Sequence, residues 1–212
     1  MHTASDDAST PDPTDRLTSV AILAAPVLLA TSTIAYALAG DMNRGEIGGV
    51  VQFYALTLFA IAVVGLVAPL RRPLPRTSAV LLATGLAAAT AGASYGIDSI
   101  WAAVSGQPQL VDQGLTSGLI AMAPAAVLLP VTLIGLGLAL ARLGLVPPPA
   151  GYLLAVAAVM FPTGRATNLL VVALATDGVL LVSLVTIGQS LARRGHTAVA
   201  RPRTASGHSP SR

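Results

Sequence analysis

Hydrophobic residues make up 54% of this 212-residue chain and charged residues only 10%, with a mean hydropathy of +0.75. A water-soluble domain needs more charge to cover its surface, so the composition excludes one and requires burial in a bilayer. The net charge of +3 rests on arginine alone, since lysine and cysteine are both absent, which excludes Schiff-base chemistry, disulfides and thiolate ligands.

Residues 1–15, MHTASDDASTPDPTD, hold four aspartates among Pro, Ser and Thr and are expected to be a disordered acidic tail. Six apolar segments follow, at about 17–39, 49–70, 78–101, 115–141, 150–162 and 166–191. A helix rises ~1.5 Å per residue and must cross ~30 Å of hydrocarbon, so about 20 residues suffice. Five segments reach that length. The fifth would rise only ~20 Å, and is expected to cross with little tilt in a locally thinned bilayer. The fold class is therefore all-α, a polytopic bundle of six transmembrane helices over residues 16–191.

The first segment contains Pro26, which removes a helical hydrogen bond and predicts a kink. It ends in Ala37-Leu38-Ala39, the small-x-small form of a signal-peptidase site, but its acidic start and its length favour a retained span. Between the second and third segments lie Arg71, Arg72 and Arg76. With the N-terminus inside, ten of the twelve arginines fall in the cytoplasm, and only Arg44 and Arg165 fall outside. That distribution predicts cytoplasmic N- and C-termini. Tyr36, Tyr54 and Trp101 then come near the outer interface.

The third segment places Gly85, Gly92 and Gly96 at helical spacing, with Gly92 and Gly96 forming a GxxxG pair. Small residues at that period let a second helix approach backbone to backbone. Asp98 follows 20 residues after the segment begins, so it is expected at the outer interface, where water solvates it.

Pro124 and Pro130 predict kinks in the fourth segment. Its start, LTSGLIAMAP (Leu115–Pro124), matches LTSVAILAAP (Leu17–Pro26) at six of ten positions. The pairing of first with fourth segment is what an inverted three-plus-three duplication requires, although the other segments align poorly.

After the fifth segment, FPTGRATN (Phe161–Asn168) carries two helix breakers, Pro162 and Gly164. This connection is expected to dip inward and line an outer vestibule with Arg165 and Asn168, with Asp98 at the rim. Asp177 would form the floor. It lies mid-span in VVALATDGVLLVSL beside Thr176, too deep to reach water by snorkelling, at an insertion cost of about 2.5 to 3.5 kcal/mol. Arg165 is twelve residues away, ~18 Å along one helix, beyond direct contact. Asp177 with Thr176 is the candidate intramembrane proton or cation site; protonated interhelical glue is the competing reading. Residues 192–212 form a basic tail expected to be disordered, in which Arg193, Arg194, Arg201 and Arg203 are candidates for contact with anionic lipid.

Other chemistry has little to stand on. His2, His196 and His208 all lie in the tails, so no span offers an imidazole to haem or metal, and no cofactor is expected. Walker, GxGxxG, HExxH and GxSxG motifs are absent, and no folded basic surface for nucleic acid accompanies the tail. Two functional classes remain: a small proton- or cation-coupled permease, or a non-transporting membrane subunit, scaffold or stress-response component. Sparse lining groups (Asp177, Thr176, Thr90 and Thr132) weigh toward the second, and the prolines and partial repeat toward the first. Arginine without lysine and abundant alanine point to a bacterial cytoplasmic membrane.

Overall fold

A computed structural model describes residues 13–41, 44–114 and 116–199. They form six helices and, among the described residues, no strand: α1 (Pro13–Leu38), α2 (Glu46–Val67), α3 (Pro75–Ser105), α4 (Thr116–Arg142), α5 (Pro148–Ala166) and α6 (Leu170–Val199), with a 3₁₀ turn, Ala68–Leu70, after α2. Five are long and apolar enough to cross a membrane; α5, at 19 residues, is not among them. The chain is thus an all-α helical bundle of the membrane class.

Each helix packs against the next in sequence, and α6 returns to α1, so the six close into a ring. Short connections make neighbours antiparallel. The upper end carries the 39–45, 106–115 and 167–169 connections, and the lower end carries 68–74 and 143–147. Large apolar side chains point outward from every helix, including Val20 at 60% and Val127 at 62% exposure. An apolar exterior on all sides is a lipid-facing surface.

Small residues set the close approaches inside the ring. A Cβ on Gly96 would stand 2.8 Å from the Gly49 carbonyl oxygen, and one on Gly49 would stand 2.6 Å from that of Gly96. Gly85 and Gly92 make room on α3 for Val63 and Leu56 of α2. The glycine stripe of the third segment therefore seats α3 on α2, where van der Waals packing replaces the hydrophobic effect.

Several boundaries differ from the sequence expectation. Pro162 and Gly164 do not break the fifth helix, which continues to Ala166. Gly164 instead lets α5 approach the α6 backbone at Ala173. The break comes later, where Asn168 takes a left-handed φ of 56°, a conformation asparagine tolerates better than most residues. The start also comes earlier, because Pro148 in the first turn presets φ and needs no amide donor. These extensions give α5 a length of ~28 Å. Pro26, Pro124 and Pro130 lie inside α1 and α4, at the positions where kinks are expected. Helix α6 extends to Val199, so residues 192–199 are helical and not an unfolded tail. Arg194 Nη2 donates to the Gly144 carbonyl. Arg201, Arg203 and the acidic residues 1–12 lie outside the described residues.

Candidate functional site

The upper half of the ring holds a partly open cavity of about 410 Å³. Its walls are Leu29 of α1, Gln52 and Leu56 of α2, Gly92 and Tyr95 of α3, Met122, Ala123, Ala125, Ala126 and Leu129 of α4, and Phe161, Pro162 and Arg165 of α5. Below it, Pro26, Phe59, Leu133, Leu180 and Leu184 converge around a void of about 10 Å³. An apolar void of that size is too small and too dry for ordered water. The lower half of the ring is therefore an apolar plug, continued by fully buried Leu66, Leu136, Leu140 and Ile187.

The polar features of the cavity have different origins. Gln52 is buried in α2 and donates from Nε2 to the Gly92 carbonyl at 3.3 Å, satisfying a backbone group across the glycine contact. Tyr95 donates to Gln109 Oε1 at 3.3 Å. Arg165 contributes the charge. Its guanidinium carbon sits 5.9 Å from the Tyr36 ring centroid and 5.6 Å from that of Phe161. Two aromatic faces at that range favour a cation.

Arg165 is joined to Asp177 through a residue the sequence reading had not singled out, Thr33 of α1. Arg165 Nη2 donates to Thr33 Oγ1 at 2.9 Å, and Thr33 Oγ1 lies 2.6 Å from Asp177 Oδ2. Thr33 Oγ1 is also 3.2 Å from the Leu29 carbonyl, one turn back. A hydroxyl has one proton and two lone pairs, so the three neighbours allow two complete arrangements. With Asp177 ionised, Thr33 accepts from Arg165 and donates to the carboxylate. With Asp177 protonated, the carboxyl donates to Thr33, which turns its own proton to Leu29. No buried donor is stranded in either. The Thr33 hydroxyl can thus be satisfied with Asp177 in either charge state.

Burial makes the arrangement consequential: Thr33 is 0% and Asp177 2% exposed. Asp177 does not line the cavity but lies behind Thr33, where α1, α5 and α6 meet. Thr176 is buried beside it and donates to the Val172 carbonyl at 2.8 Å, a local backbone bond. Twelve residues along a single helix would hold Arg165 ~18 Å from Asp177. The antiparallel turn of α5 into α6, with Thr33 of α1 between them, supplies the link.

The other expected vestibule residues are placed differently. Asp98 is 3% exposed, not solvated at an interface. Both its carboxylate oxygens lie 3.1 Å from the Leu110 amide, so it anchors the 106–114 connection. Counting residues along α3 missed this because the connection folds back over the helix end. Asn168 is exposed in the α5–α6 turn, away from the cavity wall. Tyr36, near the upper end of α1, is fully buried against the site where a Gly48 side chain would be; its hydroxyl lies by Ser99 without a well-aligned bond. Tyr54 and Trp101 are exposed. Thr132 donates to Thr84 Oγ1 at 2.9 Å, and Thr90 faces outward, so neither reaches the cavity.

The 106–114 connection roofs the cavity. Val111 forms part of the wall, and Gln109 is 2% exposed beneath it. Gly106 and Gly114 flank the connection at φ 69° and 67°, the left-handed region that glycine enters without strain. On the rim, Arg44 Nη2 donates to Asp112 Oδ2 at 2.6 Å, clipping this connection to the one between α1 and α2. That charge-assisted bond, with Asp41 3.8 Å from Arg44 Nε, pushes the Arg44 guanidinium above its ordinary basicity. No family model matches this sequence, and no curated protein or solved structure matches it.

Proposed function

We propose that this chain is a small multi-pass permease of the cytoplasmic membrane. Its termini face the cytoplasm, α5 crosses as the fifth of six spans, and movement of solute is coupled to a proton or cation at Asp177. The carrying observation is the asymmetric interior: a roofed cavity in one half of a closed ring and an apolar plug in the other. A carrier needs a site that is closed toward one side at a time. The arginine distribution makes the cavity end the outer one. Coupling is supported by the Thr33 hydroxyl, which connects a buried carboxylate to a cation on the cavity wall.

The chain has no cysteine, so labelling needs no background removal. Ala126 faces the cavity from α4. In proteoliposomes of fixed orientation, Ala126→Cys in a carrier reacts with a membrane-impermeant maleimide applied from either side. Reaction from one side only, under every ionic condition, refutes alternating access. A second reading, a structural subunit, is favoured by the position of Asp177 outside the cavity lining, where it ties three helices together. It predicts that labelling result, together with a stability loss on Asp177→Asn.

A further inference from the structure

We propose that the central cavity binds an amphipathic monoanion, with its headgroup on Arg165 and its apolar body against α4, and that binding takes up a proton at Asp177. The inference rests on the carrier reading for its physiological meaning but on the cavity alone for its chemistry. At about 410 Å³ the cavity lies within the usual range for small-molecule sites, roughly 300–1,000 Å³.

The walls select the ligand class. Arg165 is the charged side chain among the lining residues, accompanied by Gln52 and Tyr95 as polar ones. The remainder are Gly92, alanines and larger apolar side chains such as Leu29, Leu56, Met122 and Phe161. A cation would face the guanidinium unfavourably. A sugar or other polyol would leave most of its hydroxyls against hydrocarbon, at a cost of about 1–3 kcal/mol for each unmade bond. A polyanion would bring more charge than one guanidinium balances. A single carboxylate or sulfonate on an alkyl or aromatic body satisfies every wall.

The proton follows from charge accounting. Among the charged and titratable groups, Arg165 of α5 faces Asp177, through Thr33 of α1; Tyr36 of α1 and Tyr95 of α3 lie beyond it, against Arg165. A ligand anion at Arg165 places a second negative charge on a cation already linked to Asp177. Two anions and one cation in a low dielectric are relieved when Asp177 takes a proton. The Thr33 hydroxyl then turns from Asp177 to the Leu29 carbonyl, and the Arg165 donation to Thr33 is retained throughout. Ligand and proton thus enter together, as a neutral pair.

The test is isothermal titration of the full chain in lipid nanodiscs with octanoate, octylammonium and octanol, each corrected with empty nanodiscs. Saturable octanoate binding is expected, without saturable octylammonium binding. Arg165→Gln weakens octanoate roughly 10- to 100-fold, the scale of a lost hydrogen bond to a charged group, and Arg165→Lys recovers part of it. Titrating in buffers of different ionisation heat gives about one proton taken up per octanoate in the wild type and none in Asp177→Asn. Equal binding of octanoate and octylammonium overturns the ligand class, and this contrast decides even where Arg165→Gln fails to fold. Unchanged proton uptake in Asp177→Asn overturns the coupling. Failure of the carrier reading shows separately, as one-sided labelling of Ala126→Cys in a protein that still binds octanoate.

Discussion

Replacing Thr33 with valine keeps the shape of the side chain and removes only its hydroxyl. In the folded bundle that deletes the 2.9 Å bond from Arg165 and the 2.6 Å bond to Asp177, both within the buried junction of α1, α5 and α6. An unmet buried group costs about 1–3 kcal/mol in water-soluble proteins. Interhelical bonds inside membranes average about 0.6 kcal/mol and reach about 1.7. Two bonds, each with a charged partner, place the expected loss for Thr33→Val at about 2 kcal/mol. Reversible unfolding in mixed micelles measures it, with Thr33→Ser as the variant that retains the hydroxyl and most of the stability. Crossing Thr33→Val with Asp177→Leu isolates the pair, and a coupling of about 1 kcal/mol is expected because the residues touch. A loss below about 0.5 kcal/mol, or strict additivity with Asp177→Leu, would mean that the hydroxyl does not hold the two charged groups together.

Three further outcomes can be checked on the same material. Gly96→Ala puts a methyl 2.8 Å from the Gly49 carbonyl and should destabilise by about 1–3 kcal/mol, whereas Gly178→Ala, with nothing within 4 Å, should be neutral or mildly stabilising; equal unfolding midpoints would contradict the packing. At Asn168, whose φ is 56°, substitution by glycine is tolerated, while valine loses about 1–2 kcal/mol in the same unfolding assay. The rim clip should respond to salt and not to base. Asp112 raises the basicity of Arg44, so the clip's contribution is complete below the unfolded pKa and disappears only as pH rises through the still higher folded value, beyond any pH the bundle survives. Hydrogen exchange at residues 109–112 should accelerate with ionic strength and in Arg44→Gln, and remain unlinked to Arg44 titration between about pH 7 and 10.

The bundle was legible because its signal is summed over many residues: long apolar runs and arginines in alternate connections follow from the cost of putting polar groups in hydrocarbon. The glycine spacing of α3 was legible for a similar reason, since GxxxG is a statement about one helix face. Boundaries near prolines were not. Pro148 and Pro162 have opposite local meanings, and only packing decides that the first begins α5 while the second is carried within it. Asp98 illustrates a different limit. Its depth was counted along its own helix, but its partner is the Leu110 amide on a connection that folds back. Thr33 marks the hardest case, standing 144 residues from Asp177 and 132 from Arg165. Thr31, Thr57 and Thr186 share its residue type and make only local backbone bonds. Nothing in the sequence separates it from them.

That limit has a physical cause, and it bears on how the cavity works. A buried carboxylate announces itself because desolvation is expensive wherever it lies in a span. A threonine does not, because its hydroxyl can always bond to the carbonyl one turn back, as Thr33 can with Leu29 at 3.2 Å. The same indifference suits it to join Arg165 with Asp177. A residue satisfied in both states adds little bias of its own, so the balance between them is set by the charges on either side. Replacing Thr33 with asparagine, whose amide oxygen can accept from Arg165 while its NH2 can meet Asp177 only as a donor, would supply that bias. Thr33→Asn is therefore expected to retain the fold while making octanoate binding less dependent on pH between about pH 5 and 8. A binding profile that keeps its full wild-type pH dependence in Thr33→Asn would place the proton response outside the Thr33 hydroxyl.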